Sequence, residues 1–135
     1  MSYNHQGIKA YQSIDKQSDK QEEDPYKVIA ILMKNALESI NIAKITMAQK
    51  QIEEKGRFIS LAITLIDGLK ASLDIDKGGE IAENLNGLYD YMMARLVEAN
   101  LKNDLDMLDE VSELLTTVKE GWDGIEDFAN NQQED

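Results

Sequence analysis

The sequence has no cysteine and only one histidine, His5, among its 135 residues. The absence of cysteine excludes a disulfide framework, a thiolate metal site and a cysteine nucleophile. One histidine in a polar N-terminal stretch cannot supply the several imidazoles that ordinary zinc sites and Glu-x-x-His di-iron bundles require. We therefore expect a protein that works without a metal ion or another cofactor.

Basic residues are also scarce, because 14 Lys and Arg stand against 26 Asp and Glu and give a formal net charge of −12. The imbalance is concentrated in residues 104–135, which hold eleven acidic residues and a single base, Lys119. Nucleic acids and anionic membrane surfaces attract basic proteins, so this distribution argues against both as partners.

Long apolar runs are missing as well. The longest, 28–33, has six residues, whereas a helix that spans a bilayer needs about 20. The N-terminus has no basic segment followed by an apolar stretch, so we expect no Sec-type signal peptide. These observations predict a cytoplasmic protein that does not insert into membranes.

Apolar residues recur at spacings of three and four in four successive segments, a pattern typical of amphipathic helices. No stretch shows the alternating pattern of a strand. Short connections between long helices imply antiparallel neighbours, so the predicted fold is all-α, an antiparallel up-down four-helix bundle. The helices are predicted at about 25–49, 51–73, 80–101 and 104–122.

Turn residues and composition divide the chain into three parts. Asp24 followed by Pro25 favours the start of the first helix, and Gly121 with Gly124 favours the end of the fourth. We therefore predict a flexible N-terminal arm at 1–24, the bundle at 25–122 and a disordered acidic tail at 123–135.

The predicted arm contains one apolar patch, in which Ile8, Tyr11 and Ile14 recur every three residues. Residues 13–24 are otherwise polar and cannot offset their ordering entropy by burial. Two interpretations stay open: the arm is a frayed terminus, or it is a segment that docks reversibly on the bundle.

The Gly78-Gly79 pair is predicted to stop the second helix, since glycine readily adopts positive φ. With Asp74 and Asp76 before it, the segment resembles the start of a calcium loop. That loop needs ligands at its fifth and twelfth positions, where this chain has Gly78 and Leu85. A Gly-rich phosphate loop, a nucleophile elbow and a catalytic histidine are also missing from the sequence, so we do not expect an enzyme.

Helices one and two are predicted to be apolar on more than one side, although a bundle needs only one apolar stripe from each helix. The surplus must be covered by the arm, by self-association or by a partner. Gly68 and Gly87 are predicted inside helices, where glycine costs about 1 kcal/mol relative to alanine. Close approach of another backbone, either within the bundle or from a partner, would compensate for that cost.

Several short motifs resemble those of the flagellar secretion chaperone FliS family, over about residues 26–122. The motifs are Lys77-Gly78-Gly79-Glu80, Tyr89-x-Tyr91 and Ala99-Asn100, in the family's order. The chain departs from the family at 31–35, where it reads ILMKN instead of an M-L-Y-[DE]-G motif.

This resemblance implies a cytoplasmic export chaperone that binds the disordered C-terminal segment of flagellin, prevents premature polymerisation and assists type III secretion. It also implies that no nucleotide is used, and that the arm residues Ile8, Tyr11 and Ile14 occupy part of the client surface in the free protein. The export gate or a co-chaperone is a further expected partner.

For the client groove we expect apolar residues of helices two and four, about half of which must belong to the core. The alternative is a self-associating structural or regulatory bundle, a homodimer without a flagellin client. The expected client-binding residues are Ile59, Ile63, Leu65, Ile66, Leu69, Leu73, Leu105, Leu108, Val111, Leu114 and Leu115.

Overall fold

The computed structural model describes residues 24–134, with the side chains of 24–125. This part of the chain is all-helical and contains no strand, which confirms the predicted fold class. The predicted arm residues Ile8, Tyr11 and Ile14 lie outside the described residues. The four helices are α1 (Pro25–Ala48), α2 (Ile52–Ala71), α3 (Ile75–Lys102) and α4 (Leu105–Glu134).

Each helix packs against two neighbours: α1 and α3 both contact α2 and α4, while the diagonal pairs do not contact each other among the described residues. The connections of two or three residues make consecutive helices antiparallel. Lys44, near the end of α1, forms a 2.6 Å ion pair with Asp109, near the start of α4. Helices α1 and α4 are therefore antiparallel as well. The bundle is therefore antiparallel and square in cross-section.

Local capping sets the start of α1 and the break between α1 and α2. The Asp24 carboxylate accepts the backbone N–H of Tyr26 at 3.0 Å, with Pro25 in the first turn. Such a cap stabilises a helix by about 1 kcal/mol. The chain then turns at Lys50, whose φ is 61°. The predicted break at 49–51 is confirmed, although no glycine marks it.

The prediction that the Gly78-Gly79 pair stops the second helix is wrong, because α2 ends at Ala71 and the pair lies inside α3. Each of the two glycines is required there for a different reason. Gly79 has φ 55° and ψ −134°, so it interrupts the helix and regular geometry resumes at Glu80. A Cβ on Gly78 would lie 2.6 Å from the Cβ of Ala82, which leaves no room for a side chain. The one turn before the kink is capped by Asp74.

The predicted end of the fourth helix is wrong. Gly121 and Gly124 lie inside α4, which continues to Glu134. Glycine lowers helix propensity but keeps its backbone N–H, so it does not end a helix as proline does. Trp122 holds this stretch on the bundle, because its ring lies 5.2 Å from the Tyr26 ring and its Nε1 donates to the Tyr26 carbonyl at 2.9 Å. The division of the chain at 24/25 and 122/123 stays a prediction.

All four helices contribute to one core, at spacings of three and four residues. Tyr89 is its only aromatic member among the described residues, and burial raises the pKa of its phenol to about 12. The core side chains are Met33, Ala36, Ile40, Ala43 and Met47 of α1, Ile59, Ala62, Ile66 and Leu69 of α2, Tyr89, Met92, Leu96 and Ala99 of α3, and Leu108, Val111 and Leu115 of α4.

Candidate binding surface

The predicted client-binding residues divide into a buried and a partly exposed set. Six of them are core side chains and present almost no surface to a partner. Bundle packing accounts for their apolar character, as the sequence analysis expected for about half. These six are Ile59, Ile66, Leu69, Leu108, Val111 and Leu115.

The other five do not form one groove. Ile63 and Leu65 of α2, Leu73 of the connection after α2, and Leu114 of α4 are half-buried, and Leu105 of α4 is 38% exposed. Because α2 and α4 are diagonal and do not contact each other, their apolar residues line different sides of the bundle. Any client that contacts both sets must pass around the bundle rather than lie in a single cleft.

The surplus apolar surface lies mainly on α3 instead of on α1 and α2. Phe58 and Leu65 of α2 are half-buried against the core. Of the ten exposed large apolar residues between positions 24 and 125, five belong to α3, and α1 and α2 together have three. The α3 residues are Ile75, Ile81, Tyr91, Val97 and Leu101.

The two tyrosines of the Tyr89-x-Tyr91 motif have different environments. Tyr89 lies in the core, whereas Tyr91 is 43% exposed on the solvent side of α3. The Tyr91 hydroxyl donates to the carboxylate of Glu110 on α4 at 2.6 Å, and Arg95 Nε donates to the same carboxylate at 2.7 Å. The motif therefore combines a core contact with a link between α3 and α4.

This link shifts the titration of its members. The hydrogen bonds from Tyr91 and then from Arg95 lower the pKa of Glu110 below its usual value. The hydrogen bond to Glu110 in turn raises the pKa of Tyr91. Glu98 accepts from Lys102 at 2.7 Å, and that bond is the main reason why the pKa of Glu98 is lowered. Arg95 is thus part of a polar network that joins α3 to α4.

Lys55 has a structural role that the sequence did not indicate. Only 5% of it is exposed, and its Nζ donates to the backbone carbonyl of Asn100 at 3.0 Å and to Oδ1 of Asn103 at 2.6 Å. Asn103 ends α3 in the left-handed conformation, with φ 52°. A cation at a helix C-terminus is favourable, so Lys55 of α2 caps α3 and fixes the register of the two helices.

Charge is unevenly distributed around the bundle. Residues 24–73, which form α1 and α2, carry seven basic and five acidic side chains, a net +2. Residues 74–125 carry four basic and thirteen acidic side chains, a net −9. The exposed apolar residues of α3 therefore lie in the acidic half.

Two further observations concern chemistry and membranes. Among the described residues, no cluster of His, Asp or Glu could hold a metal ion. None of the described helices combines the length and the apolarity that crossing a membrane requires. Fold and surface together define a small helical bundle whose apolar side chains outside the core are available to another protein.

Comparisons with known proteins agree with this class. The profile of the family described as "Flagellar protein FliS" matches residues 7–129. The flagellar secretion chaperone FliSB of Pseudomonas aeruginosa is 47% identical over 91% of this chain and 98% of its own length. The flagellar secretion chaperone FliS of Salmonella typhimurium is 42% identical over 97% of this chain and 98% of its own length.

The chain belongs to the FliS family. The resemblance stated from the motifs is therefore confirmed. Membership supports a role as a flagellar export chaperone, whose client is a flagellar protein. Chaperones of this family are not a class of enzymes.

Proposed function

We propose that this protein binds the disordered C-terminal segment of flagellin in the cytoplasm, prevents its premature polymerisation and presents it for type III secretion, without catalysis. The observation that supports this proposal is the exposure of large apolar side chains on α3, which the core does not use. Such surface on a small protein favours a partner that covers it.

The physical requirement is a long interface. A disordered segment pays a cost of several kcal/mol to order itself on binding, so it needs many contacts for useful affinity. Apolar side chains on separate sides of the bundle suit a client that wraps around it. Of the residues expected from the sequence, the partly exposed Ile63, Leu65, Leu73, Leu105 and Leu114 are the proposed direct contacts.

The N-terminal arm is proposed to compete with the client through Ile8, Tyr11 and Ile14. A segment that covers apolar surface in the free protein lowers the apparent affinity by the fraction of time it is docked. The arm is joined to the bundle at Asp24, next to the Tyr26–Trp122 contact.

A homodimer is the second candidate, since the exposed Val97 and Leu101, four residues apart on α3, would also suit a seam between two copies. The net charge of −9 on the same half opposes it, because two such surfaces repel each other. An export gate or co-chaperone contact would be additional to either candidate.

The test is a calorimetric titration of the full chain with roughly the last 50 residues of flagellin from the same cell, a length that suits coupled folding. We expect 1:1 binding with a large negative heat-capacity change. Removal of residues 1–24 should tighten binding if the arm competes.

Sedimentation of the protein alone, over a range of concentrations, is the control for self-association. No binding of the flagellin segment by either protein would overturn the flagellin proposal. Concentration-dependent dimerisation in the same samples would then favour the homodimer.

A further inference from the structure

The last part of α4 is held on the bundle differently from the rest of this helix. Upstream, the side chains of Leu108, Val111 and Leu115 are buried in the core. Among residues whose side chains the structure describes, Trp122 is the last one of α4 that packs against this core. The helix nevertheless continues to its end as residues 121–134, a segment that we call the α4 end.

The α4 end has a low intrinsic tendency to be helical. Gly121 and Gly124 lie inside it, and a Cβ built on either meets no atom of the described residues within 4 Å. Glycine weakens a helix relative to alanine, so no packing contact compensates for these two. All charged residues of the α4 end, from Asp123 to Glu134, are acidic, whereas a helix C-terminus is stabilised by cations.

Its length is also close to the limit. Isolated helices shorter than about 12–15 residues are marginal in water, even with good helix formers. Residues 121–134 fall in this range and contain two glycines. The helical state of the α4 end therefore depends on a contact that holds it on the bundle.

Trp122 supplies that contact, at the first turn of α1. Its ring lies 5.2 Å from the Tyr26 ring, and its Nε1 donates to the Tyr26 carbonyl at 2.9 Å. Both side chains are half-buried, so the aromatic pair gains from burial in addition to the hydrogen bond. Lys119 pairs with Asp123 across Gly121 at 2.7 Å, but a partly exposed ion pair contributes little.

Tyr26 is also held from the side of the N-terminal arm. The Asp24 carboxylate accepts the backbone N–H of Tyr26 at 3.0 Å, while Trp122 donates to the carbonyl of the same residue. Residues 1–23 join the bundle at Asp24, two positions before Tyr26. A movement of the arm that pulls Asp24 away from its capping position therefore loosens the turn that carries both partners of Trp122.

We propose that the α4 end is a conformational switch coupled to the N-terminal arm: it is helical while Trp122 packs on Tyr26 and unfolds locally when the arm leaves the bundle. A client that displaces the arm thereby releases the α4 end. Because coupling between two sites is reciprocal, the Trp122–Tyr26 contact in turn favours the docked arm and lowers the apparent affinity for the client. The inference rests on the proposed function and adds a regulatory element to the same site.

The first test measures amide hydrogen exchange at residues 126–134 in the full chain. Trp122→Leu removes the hydrogen bond and the ring contact, so exchange should become at least about tenfold faster through local opening. Gly124→Ala strengthens the helix and should slow exchange about fivefold. Gly87→Ala makes the same change in open space on α3 and is the matched control, which should leave exchange at 126–134 unchanged.

Exchange at the buried Leu96 of α3 shows in the same samples whether the bundle stays folded. It should be equal in the wild type and in Trp122→Leu, because the opening is confined to the α4 end. Equal exchange at 126–134 in these two proteins would overturn the role of the Trp122–Tyr26 contact. Faster exchange at Leu96 to the same degree would overturn the local nature of the switch.

The second test asks whether the arm controls the α4 end. Ile8→Asp and Tyr11→Asp, combined in the full chain, remove two of the apolar side chains through which the arm is proposed to dock. Without any client, exchange at 126–134 should then become about fivefold faster, the lower limit of typical coupling between two sites. Unchanged exchange in this double variant would overturn the coupling.

The third test uses titrations with the flagellin segment of roughly 50 residues defined above. Trp122→Leu should lower the Kd about fivefold in the full chain, and it should have no effect when Ile8→Asp and Tyr11→Asp are also present. A Kd that stays the same in the full chain, or changes equally in both backgrounds, would overturn the coupling. No binding by the wild-type protein would overturn the proposed function, whereas the exchange measurements judge the switch without a client.

Discussion

Helices α1 and α2 differ from α3 and α4 on their outer surfaces. The first pair has a net charge of +2 and three exposed large apolar residues, whereas the second pair, up to residue 125, has a net charge of −9 and seven. A Cβ added to Gly68 of α2 would lie 4.0 Å from the Leu32 side chain of α1, whereas a Cβ added to Gly87 of α3 would meet open space. Both pairs nevertheless supply side chains to the same core.

The difference teaches that a shared core does not require a shared surface. Both pairs have half-buried apolar side chains against the core, such as Phe58 and Leu65 in the first pair and Leu88 and Leu114 in the second. The second pair has more exposed large apolar residues and also links α3 to α4 through the Tyr91–Glu110–Arg95 contacts. Exposed apolar surface is therefore concentrated in the half that contains this polar link.

The largest expected effect tests whether the two halves share one core. Ile66→Ala in α2 and Leu115→Ala in α4 each remove a fully buried side chain, and each should lower the free energy of unfolding by about 2–5 kcal/mol. Leu101→Ala, at an exposed position of α3, should change it by less than about 0.5 kcal/mol. Chemical denaturation measures all three. Two separate transitions in either core variant would break the view of a single core.

The next largest effect concerns Lys55, which connects α2 to the end of α3. Lys55→Met removes the cation that caps α3 and leaves the Asn100 carbonyl without this donor, so the free energy of unfolding should fall by about 1.5–3 kcal/mol. Lys70→Met removes a half-exposed partner of Asp90 and should cost less, since exposed ion pairs contribute little. Chemical denaturation measures the free energy of unfolding of both variants. An equal decrease in Lys55→Met and Lys70→Met would contradict the role assigned to Lys55.

A smaller pair of effects compares two glycines of α3. Gly79→Ala places a Cβ on a backbone with φ 55° and ψ −134°, which should cost about 1–3 kcal/mol. Gly87→Ala adds a methyl group in open space and should stabilise the protein by about 0.4–1 kcal/mol. Thermal unfolding of the two variants should move in opposite directions. A loss of stability in Gly87→Ala would show that the fold does need this glycine.

The smallest expected effect is a pH dependence. The pKa of Glu110 is lowered in the folded protein by hydrogen bonds from Tyr91 and Arg95. A lowered pKa contributes stability that is present above the carboxyl group's unfolded pKa and is lost as the pH falls through the folded value. Wild-type thermal stability should therefore fall slightly more between pH 7 and pH 3 than that of Glu110→Gln. Parallel curves for the two proteins would refute the contribution of this link.

Much of the fold follows from short-range sequence signals. The Asp24-Pro25 cap marks the start of α1, because these residues satisfy the backbone conformation of a helix start. The Gly78-Gly79 pair predicts a change in backbone direction, but that change is a kink within α3 and not the end of α2. The continuation of α4 past Gly124 was not predicted, since the Trp122 contact that holds it joins residues 96 positions apart.

The binding surface was harder to predict. Helical periodicity shows that α2 and α4 have apolar sides but does not tell which side faces the core, so buried Ile66 and half-buried Ile63 looked equivalent. The capping role of Lys55 could not be predicted, because lysines are usually exposed and its partners are more than 40 residues away in the sequence.

The contact between Trp122 and Tyr26 has an optical consequence. Trp122 is the only tryptophan of the chain, so its emission comes from a single place, beside the point at which the N-terminal segment enters α1. The indole N–H is bonded to the Tyr26 carbonyl, and a change in that bond alters the polarity around the indole ring. The protein thus carries its own fluorophore at the entrance of its arm, and no added dye is needed to follow that site.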